Sequence, residues 1–219
     1  MDIPYEYTVV LPEGYKEGER YPVLFALHGK GSNERDLLGL AEPLKDEFIL
    51  IGIRGDLPMG QGYQYYELRS LGNPIRELFD RAVARLEAFI EYASEQYAVD
   101  PERRYVLGFS QGAILAMTLA LTMGDRIKGI VALNGYVPDF VKTEYPLQSV
   151  TNMSIFISHG EFDPVFPIKI GHETAAYLNS LNDRVIFRTY PCGHEVTGAN
   201  RQELLTFLRE DSLNSHVKE

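Results

Sequence analysis

Positive charge is in short supply in this chain. Its 21 lysines and arginines are outnumbered by 31 aspartates and glutamates, leaving a net charge of −10. That balance argues against nucleic acid and anionic membrane surfaces as partners, since both call for basic patches. No clustered Lys/Arg run offsets it. Cysteine is nearly absent, and the single Cys192 permits no disulfide within the chain, which fits a reducing compartment. Long apolar runs are missing too. None approaches the roughly 18 residues of a membrane span, so no membrane insertion is expected. The segment Met1-Asp2-Ile3-Pro4-Tyr5-Glu6 has neither a basic start nor an apolar stretch, and no signal peptide is expected there. The expected setting is cytoplasmic.

What remains is ordinary globular composition: 219 residues, 45% hydrophobic and 24% charged. That length suits one domain over 1–219 with a sizeable core. No repeat, low-complexity segment or linker interrupts it, and the polar stretch 211–219 is expected to fray. Residues 5–10 alternate as a strand does. The run Pro22-Val23-Leu24-Phe25-Ala26-Leu27 is nearly all apolar, the mark of a strand covered on both faces. A short helix is expected over 35–45 and another buried strand over 48–53. Residues 54–72, with four glycines and a tyrosine cluster, read as one long irregular stretch.

The clearest helix follows, with Asn73 as its cap and Pro74 in its first turn. Ile75, Leu78, Phe79, Ala82, Val83, Leu86, Phe89, Ile90, Ala93 and Tyr97 then form one apolar stripe. Strands are expected at 104–107, 127–133, 154–158 and 184–190, with helices at 113–121, 168–181 and 198–208. Strands alternating with helices predict an α/β fold: a mostly parallel sheet with helices on both faces.

Gly108-Phe109-Ser110-Gln111-Gly112 lies between the buried strand and the buried helix that follows it. A serine framed by glycines at a strand-to-helix turn is the arrangement that exposes a nucleophile at a sheet's edge. A serine hydroxyl needs a base to take its proton, and the base needs an acid to fix its tautomer. Of five histidines, only His194 follows the serine in a Gly-flanked loop after the last strand. His28 reads as a structural group anchoring the turn at Gly29, His159 shares a loop with the acid, His172 falls in a helix, and His216 lies in the tail. Asp163, restricted by Pro164, is favoured as the acid over Asp139 and Glu161. The backbone N–H of Gln111, at a helix start, and that of Lys30, in the loop His28-Gly29-Lys30-Gly31, are the candidate donors to an oxyanion.

With these stretches in place, the chain resembles the phospholipase/carboxylesterase family of α/β-hydrolases, which includes the acyl-protein thioesterases. The matching segments are Leu27-His28-Gly29-Lys30-Gly31-Ser32-Asn33-Glu34, Gly108-Phe109-Ser110-Gln111-Gly112, His159-Gly160-Glu161-Phe162-Asp163-Pro164-Val165-Phe166-Pro167 and Gly193-His194-Glu195. The resemblance implies a Ser110–Asp163–His194 triad, oxyanion amides at Lys30 and Gln111, and hydrolysis of carboxylic esters or thioesters without cofactor or metal. The chain departs from the thioesterase branch at Lys30, where an apolar residue is frequent; its side chain either attracts an anionic substrate or reaches into solvent. Little room is left before Met153 for a separate lid domain.

The expected partner is therefore a small ester or thioester of short to medium acyl chain, cleaved through an acyl-serine. A peptidase or acyltransferase on the same fold, or a non-catalytic binding protein, are the alternatives. Tyr63, Tyr65 and Tyr66, with Leu57 and Met59, either line the pocket entrance or cover the helix beneath. Phe166 is another candidate wall. Cys192, two residues from His194, reads as a packing residue.

Overall fold

The computed structural model describes residues 5–214. Its strands in chain order are β1 (Tyr7–Val10), β2 (Tyr21–Leu27), β3 (Ile49–Ile53), β4 (Leu57–Met59), β5 (Gly62–Gln64), β6 (Leu68–Ser70), β7 (Asn73–Pro74), β8 (Val99–Phe109), β9 (Gly129–Leu133), β10 (Ser154–Gly160) and β11 (Ile186–Tyr190). The helices are α1 (Asp36–Ala41), α2 (Arg76–Gln96), α3 (Gln111–Met123), α4 (Asp139–Glu144), α5 (Ile168–Leu181) and α6 (Gly198–Asn214). Seven strands make one sheet in the order β1-β3-β2-β8-β9-β10-β11. Every pairing in it is parallel except that of β1 with β3.

The apolar runs read from the sequence work on two faces at once. Along β2, Val23, Phe25 and Leu27 join the core under α2, α3 and α5, while Leu24 and Ala26 join the core under α1 and α6. The same alternation recurs in β9, where Ile130 and Ala132 face one way and Val131 and Leu133 the other. Helix α3 is buried along almost all its length, which explains why it shows no polar stripe. Between β9 and β10 there is only α4 and connecting loop, with no lid domain.

Several boundaries differ from the sequence expectation. Asn73 does not cap the long helix. It pairs with Ser70 in the β6–β7 hairpin, Ile75 donates its N–H to Glu67 O at 2.8 Å, and α2 starts at Arg76 behind an extended Ile75. A residue before proline favours extended backbone, and here the hairpin takes advantage of it. The 35–45 helix ends at Ala41 and continues as a 3-10 turn over Glu42–Leu44, where Pro43 cannot supply a helical N–H. The stretch 54–72 is not irregular but carries β4–β5 and the start of β6–β7. Asp211 is not frayed: α6 reaches Asn214, and Asp211 accepts hydrogen bonds from Tyr105 (2.6 Å) and Ser154 (2.5 Å). The rest of the expected tail, with His216, lies outside the described residues.

Candidate active site

The carboxyl ends of β8, β9, β10 and β11 lie side by side, so the loops leaving them meet above the sheet. Ser110 leaves β8 in the left-handed region, φ 54° and ψ −115°. Such a conformation is strained for a residue with a β-carbon and persists only where the surroundings impose it. The flanking glycines show what imposes it. A β-carbon on Gly108 would lie 2.1 Å from Gly112 O, and one on Gly112 would lie 1.9 Å from Leu27 O. The strand, the turn and the first turn of α3 are packed too closely for any other residue.

The turn aims Ser110 Oγ at His194, whose Nε2 is 2.8 Å away. His194 Nδ1 is 2.7 Å from Asp163 Oδ2. Burial is the largest influence on Asp163 and pushes its carboxyl pKa up. Hydrogen bonds from Asn134, His194 and the backbone N–H groups of Phe166 and Val165 outweigh it and hold the pKa below the ordinary carboxylate range. An ionised carboxylate only accepts, so Nδ1 carries the ring proton and Nε2 is free to accept from the serine hydroxyl. The loops bearing the two groups are stitched together by Glu161 N–H to Tyr190 O (2.8 Å) and Phe162 N–H to Cys192 O (3.0 Å).

The other candidates fall elsewhere. The Asp139 side chain is 95% exposed and pairs with Lys142, and Glu161 accepts from the Thr189 hydroxyl. His172 lies on α5, edge-on to Phe187. His159 is buried and its Nε2 donates to Phe166 O at 2.7 Å, bracing the loop that carries Asp163. Cys192 is buried, and burial pushes its thiol pKa up, away from nucleophilic reactivity.

His28 is structural. It is 1% exposed, accepts from Gly55 N–H at Nε2 (3.0 Å) and so donates from Nδ1 to Gly29 O (2.7 Å). Burial lowers its pKa, against a smaller opposing effect from the Gly29 carbonyl. The folded protein therefore holds a neutral His28, while the unfolded chain takes up a proton below about pH 6.5. Its contribution to stability is complete above that value and is lost as pH falls through the depressed folded one. His28→Gln keeps an acceptor but cannot titrate. Its thermal midpoint should fall less steeply than wild type below about pH 6.5; equal slopes in the two proteins would contradict this.

Lys30 N–H finds no acceptor among the described residues, whereas Gly31 N–H donates to Tyr63 O (2.7 Å) and Ser32 N–H to Gly29 O (3.2 Å). A β-carbon on Gly29 would sit 3.5 Å from Ser110 Cβ, so this loop flanks the serine. Gln111 opens α3, where N–H groups lack intrahelical acceptors. The Lys30 side chain itself is exposed and finds no partner among the described residues.

The profile of the phospholipase/carboxylesterase family matches residues 15–212. The chain belongs to that family. MhqD from Bacillus subtilis is 26% identical over 201 residues, spanning 90% of this chain and 96% of its own length. Acyl-protein thioesterase 1 from Mycosarcoma maydis is 27% identical over 218 residues, 85% of this chain and 90% of that one. Among solved structures, a carboxylesterase from Mesorhizobium loti superimposes with a TM-score of 0.83 at 22% identity, covering 95% of this chain and 96% of that one. At that identity the likeness speaks for the α/β-hydrolase fold alone. This member of the phospholipase/carboxylesterase family is a hydrolase. No helix among the described residues is long and apolar enough to cross a membrane.

Of the two roles left open for the tyrosines at 63–66, burial favours covering the core for Tyr65 and Tyr66. Tyr65 is fully buried: its hydroxyl donates to Ile53 O (2.7 Å) and accepts from His28 N–H (3.2 Å). Tyr66 is 2% exposed and packs edge-on against Phe79. Tyr63 is half-buried beneath the Arg54 guanidinium. The Tyr65 and Tyr66 rings are part of the core. Their backbones matter more, because Tyr65 N–H and Tyr66 O grip the Gln111 side chain at 2.7 and 3.0 Å. Leu57 and Met59 lie in the outer β4–β5 hairpin. Phe166 alone of the set touches the site, edge-on to His194 at 5.5 Å.

On the other flank of His194 stands Phe109, 5.0 Å away between ring centres. Beyond it opens a groove of about 510 Å³ lined by Leu37, Leu40, Val196 and Arg201. Sequence reading missed this groove. Phe109 sits inside the serine motif and was available as a signal; α1 and α6 meet only in the folded chain.

Proposed function

We propose that this protein is a serine esterase that hydrolyses carboxylic esters, thioesters included, of short to medium acyl chain. Ser110 Oγ attacks the acyl carbon as its proton passes to His194 Nε2, and Asp163 holds the resulting imidazolium. The backbone N–H groups of Lys30 and Gln111 receive the developing oxyanion. Collapse expels the alcohol or thiol, which takes the proton back from His194, and water then releases the acyl-serine by the same steps. The observation that carries this reading is the unbroken chain of contacts from serine to imidazole to carboxylate, 2.8 and 2.7 Å long. Groups placed for leaving-group protonation put the departing alcohol on the His194 side, where the groove beside Phe109 lies.

A panel of p-nitrophenyl esters from acetate to palmitate, run beside an acyl-thioester and a peptide, tests it. Turnover should be greatest for short and medium acyl chains, and a fluorophosphonate probe should label Ser110 in the folded protein. Faster cleavage of the peptide would point to a peptidase. A folded protein whose Ser110 resists the probe would point to a binding protein.

A further inference from the structure

β9 runs between the strand that delivers the serine and the strand that delivers the acid. The residue at its end is Asn134, fully buried and held with φ 54°. Asparagine visits this left-handed region more readily than most residues, yet it does so at a cost that wants a reason. Its side chain supplies one. One amide N–H donates to Asp163 Oδ2 at 2.9 Å, and the same nitrogen lies 3.4 Å from Gly193 O in the histidine loop.

The amide orientation follows from its neighbours. Reversing it would set the amide oxygen against a carboxylate and a carbonyl, both of which can only accept. The oxygen, for its part, is buried and finds no donor among the described residues. The group is therefore held by its NH2 end alone. A backbone bond ties the same residue to the end of β10, with Asn134 N–H to Ser158 O at 2.9 Å, and the neighbouring Leu133 O accepts from Ser110 N–H at 2.9 Å.

We infer that Asn134 is a positioning residue for the hydrolysis, using both amide protons to fix the Asp163 carboxylate against the loop that carries His194. The inference rests on the roles given above to Ser110, Asp163 and His194. Asp163 Oδ1 is already occupied by Val165 and Phe166 N–H groups at 2.8 and 2.9 Å. Oδ2 must then be aimed at His194 by something outside its own loop, and Asn134 does this from the adjacent strand.

The other titratable groups facing Asp163 are His194, His159 from β10 with Nε2 3.7 Å away, and the Cys192 thiol, itself near Glu161 and Glu195. None of these offers a neutral donor fixed on both the acid and the histidine loop.

The test is hydrolysis of p-nitrophenyl butyrate by wild type, Asn134→Ala and Asn134→Asp, with kcat/KM followed from about pH 5 to about pH 9 and fold checked by circular dichroism. Asn134→Ala should lower kcat roughly tenfold to hundredfold while KM stays within about threefold. Asn134→Asp removes the NH2 donor and sets a second carboxyl against the first, so a coupled titration joins that of the Asp163–His194 pair. Its acid limb should shift away from that of wild type. This variant matches asparagine in size and tolerates left-handed backbone, so it decides the matter even where the alanine variant fails to fold. A pH profile superimposable on that of wild type, or an alanine variant within about twofold of wild-type kcat, overturns the inference. Ser110→Ala run alongside separates the cases. Loss of turnover there, with indifference to Asn134, sinks this inference alone, whereas retention of turnover there sinks the assignment of the nucleophile.

Discussion

Replacing Ser110 with alanine should lower kcat for a p-nitrophenyl ester by roughly 10⁴- to 10⁶-fold. The hydroxyl sits at the turn into α3, 2.8 Å from His194 Nε2. Cys192 is the one thiol in the chain, and burial keeps it protonated. Water activated by His194 would leave a residual rate, because the proposed oxyanion donors and the groove survive the change. Stability should hardly move. Alanine occupies the same positive-φ position with the same β-carbon, and the close packing of Gly108 and Gly112 is untouched. Thermal melts beside initial rates check both halves. Retention of more than about a tenth of the rate would remove Ser110 from the mechanism.

Gly62→Ala should lower turnover sharply without touching any of the three contacting side chains. A β-carbon there would lie 2.0 Å from Gly31 O and 2.7 Å from Ser32 O, distances at which backbone must move. The two segments are otherwise zipped by Gly31 N–H to Tyr63 O and Tyr63 N–H to Ser32 O, at 2.7 and 2.8 Å. Prising them apart displaces the loop that carries the Lys30 amide, while the buried α3 and β8 stay in place. A shift of about 1 Å in a catalytic donor costs on the order of 10²-fold in rate. The expected signature is a fall in kcat of that size, little change in KM, and slower but complete fluorophosphonate labelling of Ser110. Unaltered kcat would mean that the Lys30 amide takes no part in stabilising the oxyanion.

The elbow was legible in the sequence because its constraint is local: glycines two residues either side of the serine leave few other readings once a strand precedes and a helix follows. The identity of the long helix was legible too, since its apolar stripe is periodic. Its start was not. Asn73-Pro74 carries every local sign of a cap, yet residues 68–70 claim it as a strand partner. Asp211 looked like part of a loose tail because its partners, Tyr105 and Ser154, lie 106 and 57 residues earlier. The tyrosines of 63–66 could equally have lined a pocket or covered the core; Tyr65's place is set by His28 and Ile53, just past β2 and at the end of β3, distant from it in sequence.

Short-range pattern, by itself, determined the alternation of strands and helices, the family, and the three residues whose loops converge. Those are properties of spacing and of which side chains can tolerate a tight turn. Tertiary structure alone decided which side chain hydrogen-bonds Asp163 from β9's end, which strand pairs with the loop at 29–32, and where a groove opens beside Phe109. The reason is physical: strand order in the sheet differs from strand order in the chain, so Asn134 meets Asp163, and Gly62 meets Gly31, through contacts that no linear spacing encodes.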